Sequence, residues 1–150
     1  MIASVSTRLV CSREDLWREL SDPRSLQFVA SPILRFEPAE QGGLPAEWRV
    51  GPTYLLKLYL LGVIPFGRHT IQLLEIDEDE NTIISRESGS VARVWNHTIS
   101  FRESGPGVVT YTDRIEIDAG WLTPVIWLFA QVFYRHRQRR WKVLLRQKLD

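Results

Sequence analysis

The chain has 150 residues, enough for one globular domain with a substantial buried core. Hydrophobic residues make up 44% and charged residues 25%, a composition that excludes an intrinsically disordered chain. The formal net charge of +1 excludes a general polyanion binder that acts through its overall charge. We therefore expect residues 1–150 to form a single domain.

The charges are distributed unevenly along the chain. Residues 120–150 contain seven basic residues and one acid, so residues 1–119 carry a net charge of −5. A basic end of this kind is typical either of an interaction tail or of the solvent-exposed face of a last helix. The chain has a single cysteine, Cys11, and begins without the features of a signal peptide. We therefore expect a protein of the reducing cytoplasm.

The first part of the chain predicts a strand and two short helices. The stretch "SVSTRLV" at residues 4–10 alternates and is rich in β-branched residues, as expected for a strand. Ser12 and Asp15 then form a capping pattern that starts the first helix. Asp22 can cap a second helix, and Pro23 suits its first turn.

About six strands are expected between residues 32 and 118. "PILRFEPAE" predicts a strand that is broken at Pro38, and "QGGLP" predicts a turn. Residues 47–77 predict two long strands with a break near Gly62–Gly67, and three further strands follow at 82–89, 92–103 and 108–118. In the first long strand one parity is mainly apolar and is predicted to face inward: Trp48, Val50, Tyr54, Leu56, Leu58 and Leu60.

The last segment, from Trp121 to about Lys148, predicts a helix of seven or more turns. The 16 residues from Ala119 to Tyr134 carry no charge, but a membrane-spanning helix needs roughly 20 apolar residues. Pro124 also interrupts the run, so we expect a helix buried in the domain. The residues predicted to face the sheet recur at helical spacing: Leu122, Val125, Ile126, Phe129, Val132, Phe133 and His136.

This order of elements predicts an α+β fold. Strands connected by short turns form an antiparallel sheet, and the helices then lie on one side of it. A sheet of about six to seven strands can curve around the long C-terminal helix and leave a cavity between the two. The two short helices after the first strand would lie beside that cavity.

The same order resembles the helix-grip fold of the START, Bet v 1 and polyketide-cyclase superfamily, also called SRPBCC. The local resemblance is carried by an H-x-x-x-F strand at His97 and Phe101, a turn containing Gly105 and Gly107, a T-D-R strand at 112–114 and a Y-R-H-R cluster at 134–137. The resemblance implies a cavity for a hydrophobic molecule such as a lipid, sterol, polyketide or quinone. Some members of the superfamily are cyclases or dehydratases.

His97 and Asp113 are the polar residues predicted on the inward face of the last hairpin. With a turn at residues 104–106, His97 lies opposite Asp113, and the odd-numbered residues of both strands share one face. A slip of two residues would keep both side chains inward but stagger them. The pair can anchor a polar group of a ligand, act as a general acid–base catalyst, or satisfy each other in the core.

We predict a mainly apolar and aromatic ligand-binding lining with a few polar groups. Trp121 and Trp127 are further candidates for its aromatic part. His136 is expected at the cavity mouth or packed at a helix edge, and the three histidines lack the spacing of a metal site. We therefore expect neither metal nor cofactor. The predicted ligand-binding residues are Trp48, Leu58, Trp95, His97, Ile99, Tyr111, Asp113, Phe129, Phe133 and His136.

Three functions agree with these patterns. The first is binding of a hydrophobic small molecule, and the second is a cyclase or dehydratase that uses the His97–Asp113 pair. The third is a lipid carrier that docks on anionic membranes through the basic helix end, whereas nucleic-acid binding is not expected. A homodimer is a further possibility, because several apolar residues are predicted on outer faces: Leu55, Tyr59, Leu61, Val63, Trp127, Tyr134 and Trp141.

Overall fold

The computed structural model describes residues 1–39 and 43–149, which form a curved sheet with helices on its concave side. The turn predicted at "QGGLP" lies partly outside these residues. A 3-10 turn at Gly120–Leu122 precedes the last helix. The elements in chain order are β1 (Ile2–Val10), α1 (Arg13–Leu20), α2 (Pro23–Ala30), β2 (Leu34–Pro38), β3 (Thr53–Leu60), β4 (Ile64–Asp77), β5 (Thr82–Gly89), β6 (Val94–Gly105), β7 (Val108–Asp118) and α3 (Thr123–Leu149).

The seven strands form one antiparallel sheet in the order β1-β7-β6-β5-β4-β3-β2. The register shifts in β3–β4, β4–β5 and β6–β7, and bulges of this kind bend a strand and increase its twist. The sheet therefore curves around α3, which packs against β1, β7 and α2. The predicted α+β helix-grip architecture is confirmed.

Both short helices begin where the capping residues predict. The Ser12 hydroxyl accepts a hydrogen bond from the Asp15 backbone N–H at 3.0 Å. The Asp22 carboxylate accepts one from the Arg24 backbone N–H at 2.9 Å, and Pro23 occupies the first turn. These bonds satisfy N–H groups that have no partner within the helix.

The first long strand is shorter than predicted. β3 begins at Thr53 because Gly51, with a φ of +114°, and Pro52 interrupt the extended backbone before it. Val50 is 51% exposed and forms only an isolated bridge with Leu73. The prediction that Val50 faces inward is wrong, whereas Leu56 and Leu58 are buried as expected.

The predicted inward face of α3 is only partly correct. Ile126 and Phe133 are buried, but Val125 and Val132 are 63% and 59% exposed, and Leu122 is also exposed. Apolar residues surround nearly the whole helix in its first half, so hydrophobic periodicity could not select the face that packs. The face that packs is set by tertiary contacts, and it continues through Ala130, Tyr134, Arg137, Gln138, Trp141, Leu144 and Leu145.

A belt of buried polar residues divides the core into two apolar clusters. In β6, His97 separates Trp95 of one cluster from Ile99 of the other. Asp113 in β7 likewise lies between residues of the two clusters, and so do Arg137 and Gln138 in α3. The belt therefore crosses from the sheet to the helix at one level of the fold.

Gly89 in β5 allows β4 to approach closely. A Cβ atom on Gly89 would lie 2.3 Å from the Arg68 carbonyl oxygen and 3.0 Å from the His69 ring. Real Cβ atoms do not approach backbone atoms this closely, so any side chain here would push β4 away. The glycine thereby helps to position His69.

We predict that Gly89→Ala lowers the free energy of unfolding by about 2 kcal/mol, because overpacking forces backbone shifts. Gly105→Ala in β6 is the matched control, since its Cβ would meet no atom within 4 Å. Urea denaturation of both variants measures the difference. Equal losses of stability would contradict the close contact at Gly89.

Candidate functional site

A cavity of about 140 Å³ lies between the sheet, α1, α2 and α3. Its walls are mainly apolar and aromatic, with a few polar groups contributed by the belt. Of the ten predicted ligand-binding residues, seven line this cavity: Trp48, Leu58, Trp95, His97, Ile99, Phe129 and Phe133. Their role in binding stays a prediction.

The other three predicted residues do not line the cavity. Tyr111 and Asp113 are fully buried behind its wall, where the Tyr111 hydroxyl donates to Asp113 Oδ1 at 3.0 Å. His136 faces α2 instead, and its Nε2 lies 2.8 Å from the Ser31 carbonyl oxygen. Of the two alternatives for His136, the cavity mouth and a packed position at the helix edge, the structure has the packed position.

The aromatic residues near α3 also differ from expectation. Trp121 is 89% exposed and Trp127 donates to the Ile2 carbonyl oxygen, so neither lines the cavity. Tyr134 and Trp141 are candidates for the outer face, and Trp141 also continues the helical stripe that is predicted to face the sheet; both are buried and line the cavity. They belong to the inward face of α3 because that face is rotated from the predicted one.

His97 and Asp113 are in contact, although not directly opposite each other. The predicted register is wrong by two residues, and His97 pairs with Ile115 while Asp113 pairs with Ile99. The difference arises at the end of the hairpin, where β6 has a bulge between Glu103 and Gly105. A two-residue slip preserves the inward parity. His97 Nε2 therefore still lies 2.7 Å from Asp113 Oδ1.

Asp113 is the most thoroughly satisfied acid of the belt. Its Oδ1 accepts hydrogen bonds from His97 and Tyr111, and its Oδ2 accepts one from the Gln138 amide at 3.0 Å. Burial raises the pKa of Asp113, but His97, Arg137 and Gln138 outweigh this effect, and the pKa lies below its usual value. Asp113 is therefore a carboxylate in the folded protein.

A second pair of a histidine and a carboxylate lies beside the first. His69 Nε2 is 2.9 Å from Glu87 Oε1, and Ser85 donates to the other carboxylate oxygen. Glu87 Oε2 is also 3.8 Å from His97 Nδ1, which links the two pairs. Burial raises the pKa of Glu87, but hydrogen bonds and the nearby imidazoles lower it below its usual value. Glu87 thus adds a second buried carboxylate.

Arg137 introduces a buried positive charge into the cavity wall. It is only 5% exposed, and its guanidinium carbon lies 5.0 Å from the centre of the Tyr134 ring. Burial lowers the pKa of Arg137, but Asp113 and its other neighbours raise it above its usual value. Arg137 Nε has no hydrogen-bond partner within the described residues. Trp141 Nε1, one turn later, also lacks one there.

Sequence reasoning missed His69, Glu87, Tyr134, Arg137 and Trp141. For Glu87 a signal was present, because it shares the inward parity of β5 with the buried Ile83 and Ser85. For Arg137 the signal was its position four residues after Phe133, on the same helix face. Its charge obscured this signal, because a basic residue near a helix end usually faces solvent.

The sheet and α3 define a helix-grip fold, and solved structures share it. TTHA0849 from Thermus thermophilus is similar over 100% of both chains, with a TM-score of 0.76 and 10% identity. A START superfamily protein from Mycobacterium smegmatis is similar over 97% of both chains, with a TM-score of 0.67 and 13% identity. DynU16, from the dynemicin biosynthetic locus, has a TM-score of 0.64 and 12% identity, over 97% of this chain and 47% of that one. At these identities the likeness shows the fold alone.

The chain belongs to the family whose model matches most of its length. The family model described as "Domain of unknown function (DUF8410)" matches residues 7–145. A comparison with curated proteins finds no match.

Two further features are absent from residues 1–39 and 43–149. None of the helices there is long and apolar enough to cross a membrane. In the same ranges, no group of three or more His, Cys, Asp or Glu side chains could hold a metal ion.

We predict that Asp113→Asn lowers the free energy of unfolding at pH 7 by about 3 kcal/mol, because it breaks a buried pair that includes a charge. Since the pKa of Asp113 is lowered by folding, its ionised form stabilises the protein above the ordinary pKa of the group. The difference between variant and wild type should therefore shrink below about pH 4.

Denaturant unfolding over a range of pH measures this effect. Asp118→Asn is the control, because Asp118 lies on the same strand with a partly exposed side chain. It should change stability much less. A pH-independent effect of Asp113→Asn would contradict an ionised Asp113.

Proposed function

We propose that this protein binds a hydrophobic small molecule in the cavity between its sheet and α3. The observation that carries the proposal is the cavity itself, whose walls are mainly apolar and carry a few polar groups. This combination is typical of sites for small hydrophobic ligands. Its volume of about 140 Å³ is close to that of cavities of about 150 Å³ that admit a single aromatic ring.

In this proposal His97 is the member of the predicted pair that forms part of the cavity wall. His97 lines the cavity, whereas Asp113 lies behind it and holds the imidazole through a hydrogen bond of 2.7 Å. Asp113 is thus a positioning residue. Such walls accept the apolar surface of a small molecule about the size of one aromatic ring, and an oxygen on that molecule can meet a polar group of the lining.

A binding role is better supported than a cyclase or dehydratase. Nε2 of His97 is hydrogen-bonded to Asp113, and its Nδ1 faces Glu87 at 3.8 Å. A general base needs a ring nitrogen within hydrogen-bond reach of the substrate proton. Both nitrogens of His97 instead face carboxylates of the protein, so the geometry favours an anchored imidazole.

We predict that filling the cavity abolishes ligand binding. Leu58 lines the cavity, and Leu58→Trp would place a larger side chain in the space of the ligand. Native mass spectrometry of protein purified gently from its own cells should show a stoichiometric adduct on the wild type. Solvent extraction then gives the chemical class of that adduct. The adduct should be absent from Leu58→Trp.

Val10→Trp is the matched control, because Val10 is 74% exposed on β1. Circular dichroism confirms that both variants are folded. A neutral hydrophobic dye, Nile red, provides a second readout that does not depend on the natural ligand. Equal dye binding and equal adducts in Leu58→Trp and wild type would overturn the cavity as the binding site.

A further inference from the structure

Two hydrogen-bond donors on consecutive turns of α3 lack partners at the cavity. Within the described residues, three buried side-chain polar atoms have no hydrogen-bond partner: Tyr54 Oη, Arg137 Nε and Trp141 Nε1. Arg137 and Trp141 both line the cavity. A buried donor without an acceptor costs free energy. Each of these two lining residues therefore keeps one donor that no acceptor within the described residues satisfies.

The acidic residues that line the cavity have hydrogen-bond donors within the protein, whereas Arg137 Nε has no partner within the described residues. Arg137 makes none of the ion pairs found among the described residues. Arg137 is therefore a lining cation without an ion pair within the described residues, although the charges of Asp113 and Glu87 act on it from a longer distance. Each acidic lining residue has a donor from the protein: the Ser25 hydroxyl for Glu19, the Arg24 backbone N–H for Asp22, and His69 for Glu87.

We propose that the ligand is a hydrophobic carboxylic acid, bound as its carboxylate by Arg137 and Trp141, an inference that rests on the proposed binding function. The guanidinium plane and the planar carboxylate match in geometry, and a charged acceptor forms the stronger hydrogen bond. The apolar walls at Ile126, Phe129 and Phe133 receive the body of the molecule. The ligand carboxylate makes the direct contact with Arg137 that no acid within the described residues makes.

The test compares acids with their neutral esters. Isothermal titration calorimetry is performed with hexanoic acid, benzoic acid and the methyl ester of each. Both acids share the carboxylate, so the better acid reports whether a chain or a ring fits the cavity. We expect the preferred acid to bind more tightly than its ester by roughly tenfold or more, because the ester lacks the charge. Arg137→Met should remove this preference while leaving ester binding unchanged.

Two controls separate the role of Arg137 in binding from a role in folding. Because Asp113 and its neighbours favour the charged form of Arg137, Arg137→Met should lower the melting temperature of the ligand-free protein, and binding is therefore measured well below that temperature on protein shown by circular dichroism to be folded. Arg139→Met, at an exposed position on the same helix, should keep the preference for the acid. Trp141→Phe removes the second donor but keeps an aromatic ring, and should weaken acid binding alone.

The outcomes distinguish this inference from the function on which it rests. Equal binding of acid and ester by the wild type, or a preference that persists in Arg137→Met, would overturn the carboxylate assignment. Binding of the esters alone would do the same while keeping the cavity as a ligand site. If neither acids, esters nor Nile red bind the wild type, the proposed function itself fails.

A second feature, independent of the cavity, is a stripe along the outer face of α3. Residues spaced alternately by four and three lie on one side of a helix. This outer stripe begins at Trp121, just before α3, and is apolar in its first half and basic in its second. It consists of Trp121, Val125, Leu128, Val132, Arg135, Arg139, Lys142 and Arg146, all exposed.

The charge pattern of the outer stripe disfavours a second copy of this chain as its partner. Residues 123–149 contain no acid. A parallel pairing of two stripes would place basic halves together, which is repulsive. An antiparallel pairing would cover the arginines with apolar side chains and leave their charges without partners. A surface that is both apolar and anionic complements the stripe.

We infer that the outer stripe docks on an anionic membrane surface. Aromatic and aliphatic side chains insert at the boundary of headgroups and acyl chains, while basic residues attract anionic headgroups. The β3–β4 turn also carries exposed apolar residues, Leu61 and Val63 at 61% and 77% exposure.

Vesicle flotation tests this inference with phosphatidylcholine vesicles and with vesicles that also contain phosphatidylglycerol. The wild type should float with the anionic vesicles only, and less so as salt increases. The double variants V125S/L128S and R139E/K142E should each reduce binding by roughly tenfold or more. V10S and R102E are matched controls at exposed positions of the sheet and should bind as the wild type does.

Two results would overturn membrane docking. One is the absence of flotation with anionic vesicles, or flotation that neither double variant reduces. The other is a dimer in light scattering that V125S/L128S dissociates, which would assign the stripe to a second copy.

Discussion

The carboxylate of Asp113 joins the sheet to the helix that closes the fold. Its oxygens accept hydrogen bonds from β6 through His97, from β7 through Tyr111 and from α3 through Gln138. The Gln138 amide also donates to the Val5 carbonyl oxygen at 2.7 Å, which fixes α3 against β1. A fully buried carboxylate is tolerated only when it is satisfied in this way. The position of α3 therefore depends on one ionised side chain.

The polar belt around Asp113 explains why the core has a cavity between its clusters. The side chains of the belt must keep their hydrogen-bonding directions, and they cannot interdigitate freely as aliphatic side chains do. Trp95 illustrates this, because its indole N–H donates to the Tyr134 hydroxyl at 3.0 Å while its ring packs in the apolar cluster. The cavity lies where apolar wall and polar belt meet.

The sequence predicts most of the fold because parity and capping are local properties. The inward positions of His97 and Asp113 follow from strand alternation, and they survive an error of two residues in the register. The bulge in β6 that causes this error depends on the conformation of the turn between β6 and β7. The alternation of side chains along a strand carries no information about that turn. Local patterns also failed to select the packed face of α3, since both faces of its first half are apolar.

Arg137 shows why the candidate site was harder to predict than the fold. Its neighbours Arg135 and Arg139 are exposed, and composition alone treats the three as one basic patch. Their environments differ because a helix turns by roughly 100° per residue, so residues two apart face different sides. Water screens the exposed pair. The charge of Arg137 remains unscreened beside the cavity, where an electrostatic interaction is much stronger. One basic segment can therefore serve two faces of α3, with the outer arginines available to a surface and Arg137 available only to a molecule inside the fold.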